Sequence, residues 1–216
     1  MIQANHKKWA EFIFDIYLKR LLKKSFNDFR LINDLPKIDK STSLIVTPNH
    51  FSWWDGFFIY WANKKIFNRK LYVLMLEEQL KRYWFFKKLG CYSIDLNDSR
   101  KMIVSLKYTI DLLCKSNNLV TIYPQGEIQA YDEKQIVLKE GIDFIAKKSA
   151  IDFQILPIAF KIHYTNERLP IVYARFGKLL NSKDVAANPQ IFKEEFINNL
   201  NLINSEYFAS NFKSIL

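Results

Sequence analysis

The sequence predicts an α/β fold, a single domain in which helices flank a mostly parallel mixed sheet. Short apolar runs rich in β-branched residues alternate along the chain with longer segments of helical periodicity. With only five glycines and six prolines, no Gly/Ser-rich stretch and no internal repeat, nothing marks a linker. A chain of 216 residues with 49% hydrophobic content is long enough for one good-sized core and short for two.

Five segments have the composition of buried strands. The first, Ser43-Leu44-Ile45-Val46-Thr47, is a short apolar and β-branched run, typical of a strand that is covered on both faces. Four more follow, at residues 71–76, 119–123, 153–162 and 170–176. In parallel sheets, functional groups collect in the loops at the carboxyl ends of the strands. We therefore expect a site after one or more of these segments.

Three longer segments predict amphipathic helices. Residues 99–114 carry apolar side chains at steps of three and four, among them Met102, Leu106 and Leu113. Residues 190–208 predict a helix near the end of the chain, and residues 7–29 predict a long helix near its start. The alternation of these helices with the strands is what favours the α/β class.

The charge balance is strongly basic. Lysine and arginine outnumber aspartate and glutamate by 32 to 22, a net charge of +10, which favours nucleic acid, anionic lipid or a phosphorylated substrate without choosing among them. Cys91 and Cys114 lack the spacing of a disulfide framework or a zinc site, and we expect both to be reduced and buried. No secretory signal and no apolar run near the roughly 20 residues of a spanning helix is found, so we expect a cytoplasmic location.

A histidine and an aspartate follow the first predicted strand. Pro48 lacks a backbone donor and ends that strand, which puts His50 on the connection to the next element, where a side chain can face a cleft. Asp55 comes five positions later, and a tight turn entering a helix brings its carboxylate back to one imidazole nitrogen. The other nitrogen is then available as a general base. Alone, this spacing is more often a capping or surface arrangement than a catalytic pair. The surrounding sequence is therefore needed to choose between these interpretations.

Six short blocks form an ordered pattern over roughly residues 43–180. They are Asn49-His50-Phe51-Ser52-Trp53-Trp54-Asp55, Leu89-Gly90-Cys91-Tyr92-Ser93-Ile94-Asp95, Tyr123-Pro124-Gln125-Gly126-Glu127, Lys139-Glu140-Gly141, Ile155-Leu156-Pro157-Ile158-Ala159 and Phe176-Gly177-Lys178. In this order the blocks resemble those of the glycerolipid acyltransferases, typified by the bacterial enzymes that acylate lysophosphatidic acid. The hallmark of that family is Asn-His, four residues and Asp.

The resemblance implies an acyltransferase domain at residues 31–216. It would move a fatty acyl group from acyl-CoA or an acyl carrier protein to a hydroxyl of a lipid acceptor similar to lysophosphatidic acid. By the same resemblance His50 is the general base and Asp55 orients it, with no enzyme nucleophile, no metal and no bound cofactor. The absence of a Gly-x-Ser-x-Gly elbow agrees with direct transfer. The sequence does not define the carrier, although a basic surface suits an acidic carrier protein.

The expected substrate-binding residues include departures from the family pattern. By resemblance and proximity they are Asn49, Arg100, Gln125, Gly126, Glu127 and Lys139. The third block is usually Phe-Pro-Glu-Gly-Thr-Arg, so Glu127 and Ile128 replace Thr and an Arg that is thought to hold the acceptor's phosphate; a carboxylate repels a phosphate. One hypothesis is therefore a non-phosphate acceptor, such as a glycolipid or an amino lipid. In the alternative, Glu127 braces the loop and Arg100 or Lys139 holds the phosphate.

Residues 1–30 are expected to form an amphipathic interfacial helix. Its apolar stripe contains Trp9, Phe12, Ile13, Ile16 and Tyr17, and lysines and arginines flank it. Such a helix suits the headgroup region of an anionic bilayer, which predicts a peripheral protein on the inner face of the membrane. A helix packed on the core with a solvated basic face also explains the pattern.

Two other functions account for part of the sequence. The positive charge and the aromatic residues among lysines are also features of a nucleic-acid-binding module. No RNA- or DNA-binding motif is found, and such a module leaves the ordered blocks unexplained, so no nucleic-acid partner is expected. A hydrolase that uses water in place of the lipid acceptor shares the His50 base, and the sequence does not separate it from a transferase.

Overall fold

A computed structural model of the chain describes residues 1–131, 135–205 and 212–216. Its strands are, in chain order, β1 (Asp28–Leu31), β2 (Ser43–Pro48), β3 (Lys70–Leu76), β4 (Cys91–Ile94), β5 (Asn118–Thr121), β6 (Phe153–His163), β7 (Ile171–Phe176), β8 (Leu180–Asn181) and β9 (Lys213–Ser214). They form one sheet in the order β4, β3, β5, β2, β6, β7, β1, β9, with β8 paired to β6.

The sheet is mixed and mostly parallel. Strands β4, β3, β5, β2 and β6 run parallel to one another. Strand β7 returns antiparallel to β6 and lies parallel to β1, and the two short strands β8 and β9 pair antiparallel with β6 and β1. The predicted mostly parallel mixed sheet is confirmed.

Helices cover both faces of this sheet. They are α1 (Lys8–Ser25), α2 (Asp55–Ala62), α3 (Glu77–Arg82), α4 (Ser99–Leu113), α5 (Gly141–Lys148), α6 (Ser182–Ala187) and α7 (Gln190–Ser205), with a π turn at Asn63–Phe67 and a 3-10 turn at Trp84–Leu89. On one face α1 and α2 pack on the sheet, and on the other α4, α5 and α7 do so. This arrangement confirms the predicted single α/β domain flanked by helices.

Strand β2 lies in the middle of the sheet, and every one of its residues is buried. Because side chains alternate along a strand, Leu44 and Val46 pack with α1 and α2, whereas Ile45 packs with α4 and α5. Burial on both faces explains why the segment has a continuous apolar sequence instead of an alternating one. The loop that leaves its carboxyl end therefore starts from a rigid support.

The first helix is shorter than the sequence predicts. The prediction of a helix at residues 7–29 is wrong at its end, because α1 stops at Ser25 and Phe29 lies in β1. Phe29 fits the apolar stripe of a helix, but its strand pairs in parallel with β7, far away along the chain, and this pairing overrides the local pattern. Helix α1 buries Ala10, Phe14 and Leu18 in the core and exposes its other face.

The other predicted elements agree within two residues at their described ends. The segment predicted at residues 190–208 is helical as α7 up to Ser205, and its predicted end at Phe208 lies outside the described residues. Strands β1, β4, β8 and β9 and helices α3, α5 and α6 were not predicted, and α2 was expected only as a helix entered by the turn at Asp55. The edge strand β4 is covered by the first residues of the chain, since the Ser93 amide donates to the Ile2 carbonyl at 2.9 Å.

Candidate active site

His50 lies in the loop between β2 and α2, and Asn49 holds this loop to the sheet. The Asn49 side chain accepts a hydrogen bond from the Phe160 amide at 2.7 Å and donates one to the Phe160 carbonyl at 3.0 Å. Asn49 is 4% exposed, so both ends of its amide are used inside the protein. The sequence predicts a substrate-binding role for Asn49, but the structure instead places it as a support of the His50 loop.

Asp55 is the first residue of α2 and is fully buried. Its Oδ2 lies 2.9 Å from Nδ1 of His50 and accepts hydrogen bonds from the amides of Phe51 and Ser52 at 2.8 and 2.9 Å. Its Oδ1 accepts a hydrogen bond from the Ser52 hydroxyl at 2.8 Å. Four donors and the amino end of a helix therefore fix this carboxylate, and the five-residue spacing seen in the sequence closes into a His-Asp pair.

The imidazole of His50 is held in one orientation. With Nδ1 bonded to Asp55, the tautomer that carries its proton on Nδ1 leaves Nε2 with a free lone pair. One face of the ring stacks on Tyr123, with ring centroids 4.4 Å apart and planes at 29°. The side chain of His50 is 24% exposed and lines a large cavity. Nε2 is therefore available as an acceptor of a proton from a bound molecule.

The backbone of His50 is fixed by two glutamines from the loop after β5. Gln125 Oε1 accepts from the His50 amide at 2.5 Å, and Gln125 Nε2 donates to Gln129 Oε1 at 2.8 Å. The Gln129 amide in turn donates to the His50 carbonyl at 3.0 Å. Gln125 is 4% exposed and does not line the cavity, so the structure gives it a positioning role instead of the predicted contact with substrate.

The cavity beside His50 has a volume of about 1390 Å³. One wall belongs to the face of the sheet that carries α1 and α2 and is apolar; it includes Phe14, Phe57, Leu71, Val73, Phe86 and Leu89. A second wall is formed by α4, α5 and the loops before them; it includes Leu96, Met102, Ile103, Leu106, Leu138 and Phe144. The lining includes Leu71, near the amino end of β3, and Met75, near its carboxyl end, so the part of the cavity along the first wall, the apolar branch, follows this strand for about 13 Å.

Three of the predicted substrate-binding residues line this cavity together. Gly126, Glu127 and Lys139 are on its wall, and Gly126 has a φ of +76°, which favours glycine. Arg100 is exposed at the start of α4, outside the lining, and its amide donates to the Asp98 cap at 3.0 Å. The structure therefore brings Gly126, Glu127 and Lys139 to His50 and leaves Arg100 apart.

The two cysteines have different environments. Cys91 is buried on the cavity wall, and burial raises the pKa of its thiol to about 12. Cys114 is exposed, so the prediction that both thiols are buried is wrong for it. Cys114 follows directly after α4, where the apolar stripe of the helix predicts a buried position, but the residue turns away from the core.

Ser52, Tyr123 and Gln129 contribute to the site without having been predicted as functional. Ser52 donates to Asp55 from within the His-Asp block, so its small hydroxyl side chain at that place was a usable signal. Tyr123 stands where the family usually has Phe, and this difference in the sequence was a usable signal. Gln129 lies outside every block, and nothing in the sequence points to its contact with the His50 backbone.

A family model described as Acyltransferase matches residues 30–161, which is more than half of the chain. The chain belongs to the acyltransferase family. This acyltransferase is 26% identical over 166 residues to the 1-acyl-sn-glycerol-3-phosphate acyltransferase of Streptococcus pneumoniae. The alignment covers 72% of this chain and 58% of that relative, so the chain spans less than two thirds of the relative's length.

The acyltransferase also has a relative among solved structures. The crystal structure of the 1-acyl-sn-glycerophosphate acyltransferase of Thermotoga maritima superposes with a TM-score of 0.63, covering 92% of this chain and 80% of that one. The two sequences are 16% identical, so this likeness establishes a shared fold. It agrees with the predicted glycerolipid acyltransferase-like fold.

Two properties of the described residues bear on metals and membranes. Within residues 1–131, 135–205 and 212–216, no group of three or more His, Cys, Asp and Glu side chains is arranged to hold a metal ion. Within the same residues, every helix is too short or too polar to cross a bilayer.

Proposed function

We propose that this acyltransferase moves a fatty acyl group from an acyl thioester, acyl-CoA or acyl carrier protein, to a hydroxyl of a lipid acceptor similar to lysophosphatidic acid. The observation that carries the proposal is the orientation of His50, whose Nδ1 is bound by buried Asp55 while the ring lines a large apolar cavity. A base that faces such a cavity suits a substrate with a long hydrocarbon chain. The 1-acyl-sn-glycerol-3-phosphate acyltransferase relative supports the choice of acceptor.

In the proposed reaction His50 Nε2 removes the proton of the acceptor hydroxyl. The hydroxyl oxygen attacks the thioester carbonyl carbon, a C–O ester bond forms, and the C–S bond breaks. His50 then returns the proton to the departing thiolate, so the products are an ester and a free thiol. Asp55 stabilises the imidazolium that exists between these two proton transfers and keeps the ring in the productive tautomer.

The negative charge that develops on the thioester oxygen requires hydrogen-bond donors. Glycine permits close approach of a substrate to the backbone, which favours amides near Gly126, but the amide of Gly126 itself donates to the Tyr123 carbonyl at 3.0 Å. The next amide, that of Glu127, has no hydrogen-bond acceptor among the described residues and belongs to a residue that lines the cavity. We assign the donor role to the Glu127 amide.

The apolar branch between the sheet, α1 and α2 is proposed to take the acyl chain of the donor. Phe57, Val73 and Leu89 are among the side chains on its wall. Burial of each methylene contributes about 0.8 kcal/mol, so a long chain gains substantial binding free energy there. The thioester carbonyl then lies beside His50, and the carrier extends to the protein surface, where the basic charge suits either the phosphates of coenzyme A or an acidic carrier protein.

We further propose that the protein lies peripherally on the cytoplasmic face of an anionic membrane. The exposed face of α1 carries five large apolar side chains, and Trp53 and Trp84 are exposed nearby; the five are Trp9, Phe12, Ile13, Ile16 and Tyr17. Lys88 Nζ lies 4.6 Å from the Trp9 ring centroid and 4.5 Å from that of Trp84. Aromatic residues with adjacent lysines suit the headgroup region of anionic lipid.

The membrane proposal is tested by flotation with vesicles of phosphatidylglycerol and phosphatidylcholine. The double substitution Phe12→Ser and Ile13→Ser removes two of the most exposed apolar side chains of α1 while leaving its buried face intact. We expect a clear loss of bound protein. The control is Tyr164→Ser, which removes a ring of 74% exposure from the loop between β6 and β7, outside α1. Equal binding by the double variant and wild type would contradict the proposal.

The transferase proposal is tested with purified protein, a labelled tetradecanoyl thioester and lysophosphatidic acid in mixed micelles. Wild type should form the two-chain lipid and release thiol in equal amounts, and His50→Ala should form neither. Free fatty acid as the main product would instead identify a thioesterase. Lipid mass spectrometry of cells with and without the protein, compared with the His50→Ala variant, gives an independent readout.

A further inference from the structure

Two side chains of opposite charge flank Gly126 at the wall of the cavity. Glu127 follows Gly126 directly, and Lys139 comes from the segment before α5. Both line the cavity that His50 lines, and both are exposed. Glu127 lies where the sequence departs from the family pattern, because Glu127 and Ile128 replace the usual Thr-Arg, whereas Lys139 belongs to a block that resembles the pattern. At this place the loop therefore presents the carboxylate of Glu127 to a substrate and lacks the guanidinium of the usual arginine.

The contact between Lys139 and Gly126 is set by the backbone. The Lys139 amide donates to the Pro124 carbonyl at 2.7 Å, which holds the two segments side by side. A Cβ added to Gly126 would lie 3.1 Å from Lys139 Cγ and 3.4 Å from its Cε. The aliphatic stem of Lys139 thus packs against Gly126, and its ammonium group ends beside the same loop that carries Glu127.

Neither charge is neutralised within the described part of the chain. Glu127 and Lys139 form no ion pair with each other or with another described residue, whereas Lys193 in the same cavity lies 3.9 Å from the Asp143 carboxylate. The two charged side chains therefore stand on either side of Gly126 without pairing with each other. A bound molecule that carries complementary charges can reach both.

We propose that Glu127 and Lys139 select an acceptor lipid with a zwitterionic headgroup, in which an ammonium contacts Glu127 and a phosphate or carboxylate contacts Lys139. This inference rests on the proposed transfer to a lipid hydroxyl. A simple phosphate monoester satisfies Lys139 but is repelled by the Glu127 carboxylate beside it. A headgroup that carries both charges a few atoms apart satisfies both side chains and leaves the hydroxyl to His50.

The test compares three one-chain acceptors that differ in headgroup charge. These are lysophosphatidylethanolamine, which is zwitterionic, lysophosphatidic acid, which is anionic, and monoacylglycerol, which is neutral. The kcat/KM for each is measured with wild type, Glu127→Gln and Lys139→Gln. The matched controls are Glu167→Gln and Lys148→Gln, which remove the same charges from exposed positions outside the cavity lining.

We expect wild type to prefer lysophosphatidylethanolamine. Glu127→Gln should lower the ratio of zwitterionic to anionic turnover by about fivefold, the size that one exposed ion pair supports. Lys139→Gln should reduce turnover of both charged acceptors by a similar factor and spare monoacylglycerol. Both control variants should keep the wild-type ratios.

A wild-type preference for lysophosphatidic acid that Glu127→Gln leaves unchanged would overturn the inference while leaving the transferase intact. Equal loss on all three acceptors in Glu127→Gln would also overturn it, because such a loss reports a loop defect and not headgroup selection. If no acceptor is acylated in a manner that requires His50, the proposed function itself fails, and this inference falls with it.

Discussion

The ring of Tyr123 supports the imidazole of His50 by stacking on it at a centroid distance of 4.4 Å. The hydroxyl of the same tyrosine is buried and has no hydrogen-bond partner among the described residues. Burial, followed by the nearby Asp55 carboxylate, raises the pKa of this hydroxyl well above its ordinary value. The ring of Tyr123 therefore stabilises the site, whereas its hydroxyl is a buried polar group without a hydrogen-bond partner among the described residues. A substitution that removes only the hydroxyl distinguishes the two effects.

Tyr123→Phe is expected to stabilise the protein. The substitution keeps the stacked ring and removes a hydroxyl whose desolvation is uncompensated, a gain of about 1 kcal/mol, which raises Tm by about 2–4 °C. Differential scanning calorimetry measures the change. The matched control is Tyr92→Phe, because the Tyr92 hydroxyl is buried and lies 2.7 Å from Thr109 Oγ1. That control should lower Tm, and a similar decrease in Tyr123→Phe would mean that its hydroxyl has a partner.

Asp55→Asn is expected to lower kcat by roughly a thousandfold with little change in KM. An amide NH2 directed at His50 Nδ1 favours the tautomer protonated on Nε2, which cannot accept a proton from the acceptor hydroxyl. Steady-state kinetics with a saturating thioester measure the loss. Asp34→Asn is the control, since Asp34 is exposed and lies outside the cavity lining. A variant that retains most of the wild-type kcat would show that Asp55 is a structural cap.

Gln125→Leu is expected to lower kcat by about tenfold or more, because the partly buried His50 amide loses its acceptor and the ring shifts. Gln125→Glu is the informative comparison. A carboxylate oxygen still accepts from the His50 amide, and the Gln129 side-chain amide can rotate so that its NH2 group donates to the carboxylate. Gln125→Glu should therefore keep far more activity than Gln125→Leu. Equal losses in the two variants would contradict the positioning role.

The His-Asp pair could be predicted because its geometry is local. Only five positions separate His50 from Asp55, and one turn that enters α2 brings the two side chains within 2.9 Å. The direction of a side chain in a loop, in contrast, could not be predicted. Gln125 and Gly126 are neighbours, yet Gly126 lines the cavity and Gln125 points to the His50 backbone. The sequence pattern does not distinguish these directions, because they depend on where β2 and β5 lie in the sheet.

Strands that form only by pairing with distant segments of the chain also could not be predicted from the sequence. Phe29 continues the apolar spacing of α1, but its strand β1 is formed by pairing with β7. The short strand β4 lacks a long apolar run and is recognisable only once β3 lies beside it. Helix α4, in contrast, was predicted within one residue, because its apolar periodicity is a local feature of the sequence.

The two thiols are expected to react at very different rates with a thiol reagent at about pH 8. The thiolate is the reactive form, and burial raises the pKa of Cys91 to about 12, so its thiolate fraction at that pH is of the order of 10⁻⁴. Cys114 is exposed, so the reagent can reach it. Native protein should therefore release one equivalent of chromophore quickly, and protein in concentrated urea should release two. Peptide mass spectrometry should place the fast label on Cys114.

Cys114→Ser provides the control, since the native variant should have no fast thiol and the unfolded variant should have one. The labelling rate measured over a series of pH values shows in which direction the pKa of Cys91 is shifted. The folded protein favours the protonated form of the Cys91 thiol, so the rate at Cys91 should rise with pH as the thiolate forms, over the range in which the protein stays folded. Rapid reaction of both cysteines in native protein near pH 8 would show that reagent and water reach the cavity wall at Cys91.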